Sequence, residues 1–200
     1  MFNILSSLPK TILTGILLLV LITWITNSYS ELAFFDYSYT TFFFRWLHVL
    51  SGIMWIGLLW YFNFVQVPNM SKITDEQKPA ITKVIAPAAL FWFRWAAFTT
   101  IVTGLIVAYL SGYLHEAMTL GIGNGGGKYT AIGIGMWLGL IMAFNVWFII
   151  WPNQKKVLGI VEATTEEKPV AAKKALIASR TNTLLSLPML LTMVAAQNLY

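Results

Sequence analysis

The sequence predicts an all-α integral membrane protein, a bundle of about five transmembrane helices. Of its 200 residues, 58% are hydrophobic and only 10% are charged, whereas a soluble domain carries about 25% charged residues. Apolar runs long enough to cross a bilayer recur along the chain and are separated by short polar segments. We therefore expect residues 1–200 to form a single transmembrane domain.

The apolar runs place the predicted spans and one long connection. The spans are expected at about 11–28, 42–67, 88–111, 130–152 and 181–199. The first run is longer than a signal-peptide core and no A-x-A cleavage site follows it, so we interpret it as a retained helix. The fourth is expected to end at Pro152. The last is the weakest, and residues 153–180 before it form a predicted basic loop that could include an amphipathic surface helix.

The charges of the connections predict the orientation. Of the lysines and arginines, three lie in residues 69–87 and six in 153–180, whereas the other two connections hold only Lys128. Cytoplasmic connections carry the excess of positive charge, so the N-terminus is predicted inside and the C-terminus outside. The formal net charge of +5 is explained in this way, without a nucleic-acid partner.

Several kinds of chemistry are excluded by composition and spacing. The chain has no cysteine, which excludes disulfides, thiolate metal sites and a c-type haem in this chain. No H-E-x-x-H motif occurs and no carboxylate lies inside a span, so zinc hydrolysis and a carboxylate dyad have no support. The GIGNGGGK run lacks the first glycine and the final Ser or Thr of a phosphate loop, and we interpret it as a mobile loop.

The second span carries the strongest candidate site. His48 and Trp55 share one helical face, with Arg45 one turn before the histidine. Ionisable groups at membrane depth are costly, so this face should point to a protein interior. His48 and His115 are candidates to ligate the iron of haem b, with Arg45 on a propionate or an anionic substrate such as urate. Aromatic side chains could line the pocket of the ring, namely Trp55, Trp46, Phe44 and Phe98. The alternatives are a buried interhelical hydrogen bond for His48, a surface position for His115 and snorkelling of Arg45.

Two further groups of residues are expected to connect helices. Small residues recur at every fourth position from Ala96 to Ala108 and in the G-x-x-x-G pair Gly135 and Gly139, which permits close packing and also self-association into a homo-oligomer. Polar side chains are predicted to cluster near the cytoplasmic ends of the spans, as packing contacts or as a vestibule. They are Asn63, Gln66, Asn145, Asn153, Gln154, Arg180 and Asn182.

Several stretches together resemble the membrane domain of bacterial urate hydroxylases, the urate oxidase N-terminal family. They are RWLHVLSGIMWIG, FWFRWAAFTTIVTG, FNVWFIIWPNQKKVLG and SRTNTLLSLPMLLTM, within about residues 43–195. The resemblance carries over these pattern positions: Arg45, His48, Gly52, Trp55, Gly57, Asn145, Pro152, Asn153, Gln154, Arg180, Asn182 and Pro188. The chain departs from the family where further histidines are usual, at Thr181 and Gln197.

The resemblance implies a redox function in a bacterial inner membrane. In the family, a C-terminal cytochrome c domain takes electrons from urate oxidation, and this cysteine-free chain would need a separate cytochrome c or other electron acceptor. The leading hypothesis is therefore a redox protein that binds haem b through His48 and oxidises urate or a similar small molecule. The competing hypothesis is a non-enzymatic membrane subunit or small-solute channel that retains the fold.

Overall fold

Every regular element in the described part of the chain is helical. The computed structural model describes residues 2–28, 36–123 and 126–200, and within these ranges it confirms the predicted all-α class. We label the helices in chain order. They are α1 (Phe2–Leu5), α2 (Leu8–Ser28), α3 (Tyr37–Lys72), α4 (Lys78–Leu110), α5 (Leu114–Met118), α6 (Lys128–Val157) and α7 (Glu167–Asn198).

Four of these helices are long and apolar enough to cross a bilayer, namely α2, α3, α4 and α6. This fits an integral membrane protein. The predicted fifth span lies in α7. This helix is 32 residues long, which is sufficient, but it is not as apolar as the other four. Its N-terminal half is rich in lysine, and Asn182, Pro188 and Gln197 interrupt its apolar half.

The structure differs from the predicted basic loop over residues 153–180. Helix α6 continues to Val157 and α7 begins at Glu167, so only residues 158–166 connect them. Most of the predicted loop is therefore the start of a long helix. The first turns of α7 contain three buried alanines at helical spacing, Ala171, Ala175 and Ala178. These alanines form an apolar face, so this segment packs against the rest of the second unit as a helix.

Pro152 does not end α6, contrary to the prediction. A π-helical segment, Asn145–Ile150, directly precedes the proline, and the helix then runs on to Val157. A π turn shifts the ladder of backbone hydrogen bonds by one residue, so a residue without an N–H can follow it without breaking the helix. A second π segment, Tyr61–Gln66, likewise precedes Pro68 within α3.

The chain divides into two compact units, Met1–Phe43 and Phe44–Tyr200. The second unit contains a hydrophobic core contributed by α3, α4, α6 and α7. Helices approach closely at two glycines of α6. A Cβ on Gly135 would lie 2.9 Å from Thr192 Oγ1, and Gly133 lies directly against the Ala117 carbonyl of α5. These contacts fix α5 and α7 against α6, beside the cavity described next.

Candidate functional site

The second unit contains a cavity of about 660 Å³ between α3, α4, α6 and α7. Ligand pockets typically measure about 300–1,000 Å³, so its size suits a small ligand or a cofactor. The wall is mostly apolar. Its polar and titratable side chains are Arg45, His48, Thr100, Tyr113, Gln197 and Asn198.

His48 is half-buried in the cavity wall, and its tautomer is set by α4. Its Nδ1 lies 2.9 Å from the Thr100 carbonyl oxygen. A carbonyl only accepts hydrogen bonds, so a neutral imidazole must donate Nδ1–H here and keep its lone pair on Nε2. No hydrogen bond reaches Nε2 from the described residues. This is how metal-ligating histidines are usually oriented, with one nitrogen fixed by a carbonyl and the other available.

The small-residue stripe of α4 makes room for this imidazole. A Cβ on Gly104 would stand 2.8 Å from His48 Cε1 and 3.0 Å from Nδ1. Thr100 is buried and supplies the accepting carbonyl, and Thr103 Oγ1 lies 3.5 Å from Nδ1. The stripe predicted for helix packing therefore also holds the candidate ligand, a role that its spacing alone did not indicate.

Trp55 is the predicted ring-pocket aromatic that the structure places in the cavity wall. It is 1% exposed, and its Nε1 is buried without a hydrogen-bond partner in the described part of the chain. Buried donors are rarely left unpaired, so this indole N–H is an unsatisfied donor within the cavity wall. The other predicted aromatics, Phe44, Trp46 and Phe98, do not line the cavity.

Arg45 and three further polar side chains lie together at one end of the cavity. Tyr113 follows the end of α4, while Gln197 and Asn198 end α7, and all three line the wall with Arg45. Burial raises the pKa of the Tyr113 phenol, and the nearby Arg45 guanidinium acts in the opposite direction. The sequence analysis did not identify Tyr113, because only the fold brings residue 113 beside residue 45. We call this group the polar end of the cavity.

His115 does not join His48 at the cavity. It is exposed on the short helix α5 and is not among the lining residues. In the described part of the chain no group of three or more His, Cys, Asp or Glu side chains could hold a metal ion. The wall does contain three methionine thioethers, from Met136, Met189 and Met193.

The predicted polar cluster separates into smaller contacts. Asn145 Nδ2 donates to Asn182 Oδ1 at 2.8 Å, and Asn182 Nδ2 donates to the Met142 carbonyl at 2.9 Å. Asn63 Nδ2 donates to Ser179 Oγ at 2.8 Å. These bonds connect α7 to α6 and to α3, away from the polar end of the cavity.

The remaining members of that cluster do not connect helices through any described hydrogen bond. Asn153 donates to a carbonyl of its own helix, Arg180 is exposed, Gln154 is half-buried, and Gln66 Oε1 is buried without a partner among the described residues. The described bonds thus support interhelical packing more directly than a continuous vestibule.

The fold and the cavity define the class: a protein of membrane type, all-helical over the described residues, with an apolar cavity in its second unit. Residues 124–199 match the family model described as urate oxidase N-terminal, and the resemblance to that family is confirmed over this segment. The matched segment supplies the α6 and α7 walls of the cavity, whereas Arg45 and His48 lie outside it. No curated protein and no solved structure matches the chain.

Proposed function

We propose that this protein is a membrane redox protein of the urate hydroxylase type that holds haem b in the cavity through His48. In this proposal it oxidises urate or a similar small molecule and passes the electrons to a separate acceptor. The observation that carries the proposal is the orientation of His48. Its Nδ1 is engaged by the Thr100 carbonyl, which leaves the Nε2 lone pair as an iron ligand in an apolar cavity.

The residues around His48 fit a flat macrocycle. Gly52 and Gly139 line the cavity and leave its wall without side chains at two places. Haem b bound there would supply a one-electron redox centre. The chain's own residues hold the imidazole in one tautomer and exclude water with apolar walls. The lining thioethers, such as that of Met189, are of a ligand type that haem iron accepts in addition to imidazole.

Arg45 gives the polar end its positive charge. An arginine guanidinium binds carboxylates through two parallel hydrogen bonds, so Arg45 suits a haem propionate or an anionic small molecule such as urate. The neutral Tyr113 phenol is a second donor at the same end. Arg45 and Tyr113 would hold the anionic edge of haem b at the polar end, and His48 and Trp55 would lie beside its apolar body.

The proposal includes a topology and an electron acceptor. Five spans, including α7, place the N-terminus in the cytoplasm and the C-terminus outside a bacterial inner membrane, in accord with the basic connections. These 200 residues contain no cysteine, so the proposal assigns the electrons to a cytochrome c or another acceptor outside them.

The test is an absorbance spectrum of the full-length protein, purified and supplied with haemin. We expect a Soret band that shifts on reduction, is lost in His48→Ala and is restored to that variant by added imidazole. His115→Ala is the matched control, because it removes the other histidine of the chain at an exposed position, and it should keep the band.

A folded preparation that stays colourless after haemin is supplied would overturn the haem assignment. In that event the competing function, a non-enzymatic membrane subunit, gains support. A channel for polar solutes is less consistent with the cavity, because apart from the polar end its wall is almost entirely apolar. Urate turnover in the haem-loaded protein would then establish the substrate.

A further inference from the structure

Some residues of the cavity wall also belong to the outer surface of the second unit. Val49 and Ile53 of α3 are 52% and 67% exposed, and Val194 of α7 is 60% exposed, although all three line the cavity. They are apolar and belong to helices at membrane depth in the proposed topology. Surfaces of this kind face acyl chains in a bilayer, so the cavity communicates with the lipid phase at these residues.

Helices α3 and α7 are connected only toward the opposite end of the cavity, as far as the described hydrogen bonds go. Asn63 Nδ2 donates to Ser179 Oγ at 2.8 Å, and Trp60 Nε1 donates to Ser186 Oγ at 3.0 Å. The close backbone approach of α7 to α3 likewise involves the segment Tyr61–Gln66. Toward the polar end, the cavity lies between the two helices. We call this opening, lined by Val49, Ile53, Leu190 and Val194, the lateral cleft.

We infer that the cavity is filled sideways from the bilayer, through the lateral cleft, by a lipid-soluble amphiphile with an apolar body and an anionic or hydroxyl-bearing head group. The apolar body suits the cleft and the walls. The head group suits Arg45, Tyr113 and the free Nε2 of His48. This inference uses the cavity of the proposed function but does not depend on the ligand being haem. Quinols and fatty acids also combine an apolar body with a hydroxyl-bearing or anionic head group.

The absence of native cysteine permits a direct test with single thiols. Gly52→Cys places one thiol in the cavity wall, where the new Cβ meets only Thr100 Cγ2 at 3.9 Å, an ordinary contact. Gly139→Cys is a second such variant, with Ile101 Cδ1 at 3.8 Å. The full-length protein in vesicles is treated with an uncharged lipid-soluble maleimide or with a charged water-soluble one.

Two reference variants calibrate the reagents. Leu187→Cys replaces an exposed apolar residue of α7 that does not line the cavity, and Ile122→Cys lies in the connection after α5, where Ile122 is 80% exposed. We expect the cavity thiols to behave like Leu187→Cys and to prefer the lipid-soluble reagent by about tenfold or more, since charged groups partition poorly into hydrocarbon. Behaviour like Ile122→Cys, with the charged reagent equal or faster, would overturn the lateral route.

Protection of the cavity thiol identifies the ligand. Vesicles are preloaded with haemin, with an isoprenoid quinol or with a long-chain fatty acid before labelling. Protection by haemin supports both the inference and the proposed function. Protection by the quinol or the fatty acid without protection by haemin supports the lateral site and overturns the haem assignment. If none of the three slows labelling of either cavity variant, the inference is overturned.

Discussion

The absence of a side chain at Gly104 allows the His48 imidazole to approach the backbone of α4. A Cβ added at Gly104 would lie 2.8 Å from Cε1 of the His48 imidazole. Contacts that short force one partner to move. The Nδ1 bond to the Thr100 carbonyl depends on the same close approach of α3 to α4, so the glycine indirectly fixes the tautomer that frees Nε2.

Gly104→Ala should therefore weaken haem binding without removing a ligand. Displacing the group that orients a ligating histidine typically costs about 10–100-fold in affinity, and we expect a loss in that range by haemin titration. Gly15→Ala is the matched control, because Gly15 also lies within a helix, does not line the cavity, and its Cβ would meet nothing within 4 Å. Equal haemin affinities in the two variants would contradict the positioning role.

At the level of elements, α6 is the helix against which both α5 and α7 are packed. Its three glycines at 133, 135 and 139 differ in what surrounds them. Gly133 faces backbone of α5, Gly135 faces side-chain atoms of α7, and Gly139 has only Ile101 Cδ1 at 3.8 Å. Backbone cannot rotate away as a side chain can, so the position with the smallest tolerance is Gly133.

Gly133→Ala should destabilise the protein by about 1–3 kcal/mol or more, the usual cost of overpacking. The expected consequence is a lower thermal unfolding midpoint in detergent and displacement of α5, whose Met118 carbonyl accepts a hydrogen bond from Trp137 Nε1 of α6. Gly139→Ala should instead be neutral or stabilising, because alanine is favoured over glycine within a helix by about 1 kcal/mol. A Gly133→Ala variant as stable as Gly139→Ala would contradict the close contact.

For the whole molecule, the charged connections and the polar end of the cavity lie at opposite ends of the second unit. Residues 73–77 and 158–166 follow α3 and α6 and are flanked by the lysines at the neighbouring helix ends, whereas residues 111–113 follow α4 in the opposite direction. If these lysine-rich helix ends are cytoplasmic, then Arg45, His48 and Tyr113 lie toward the other side of the membrane. A separate electron acceptor would then dock on that side.

Single cysteines report this orientation in intact cells. Glu162→Cys lies in the connection between α6 and α7, and Glu116→Cys lies on α5. We expect a membrane-impermeant thiol reagent to label Glu116→Cys in whole cells and to label Glu162→Cys only after lysis. The reverse pattern would overturn the proposed orientation while leaving the cavity unaffected.

The sequence by itself determined the helical class and four spans, and it singled out His48 as a candidate, because hydropathy and an ionisable residue within an apolar run can be read from the local sequence. It placed α7 only in part: Asn182 and the lysines lower its hydropathy, yet its buried alanines pack it as one long helix. The partners of His48 depend on the fold. Thr100 and Thr103 lie 52 and 55 residues away in sequence.

Only the tertiary structure decided which predicted site residues meet. It brought Arg45, His48 and Trp55 to one cavity and left His115 outside it, because helix rotation and tilt follow from packing of the whole bundle. It also separated the predicted polar cluster into the Asn145–Asn182 and Asn63–Ser179 bonds. Polar side chains within a membrane span need hydrogen-bond partners, which the sequence alone predicts. Which partners they have depends on the register of the neighbouring helices.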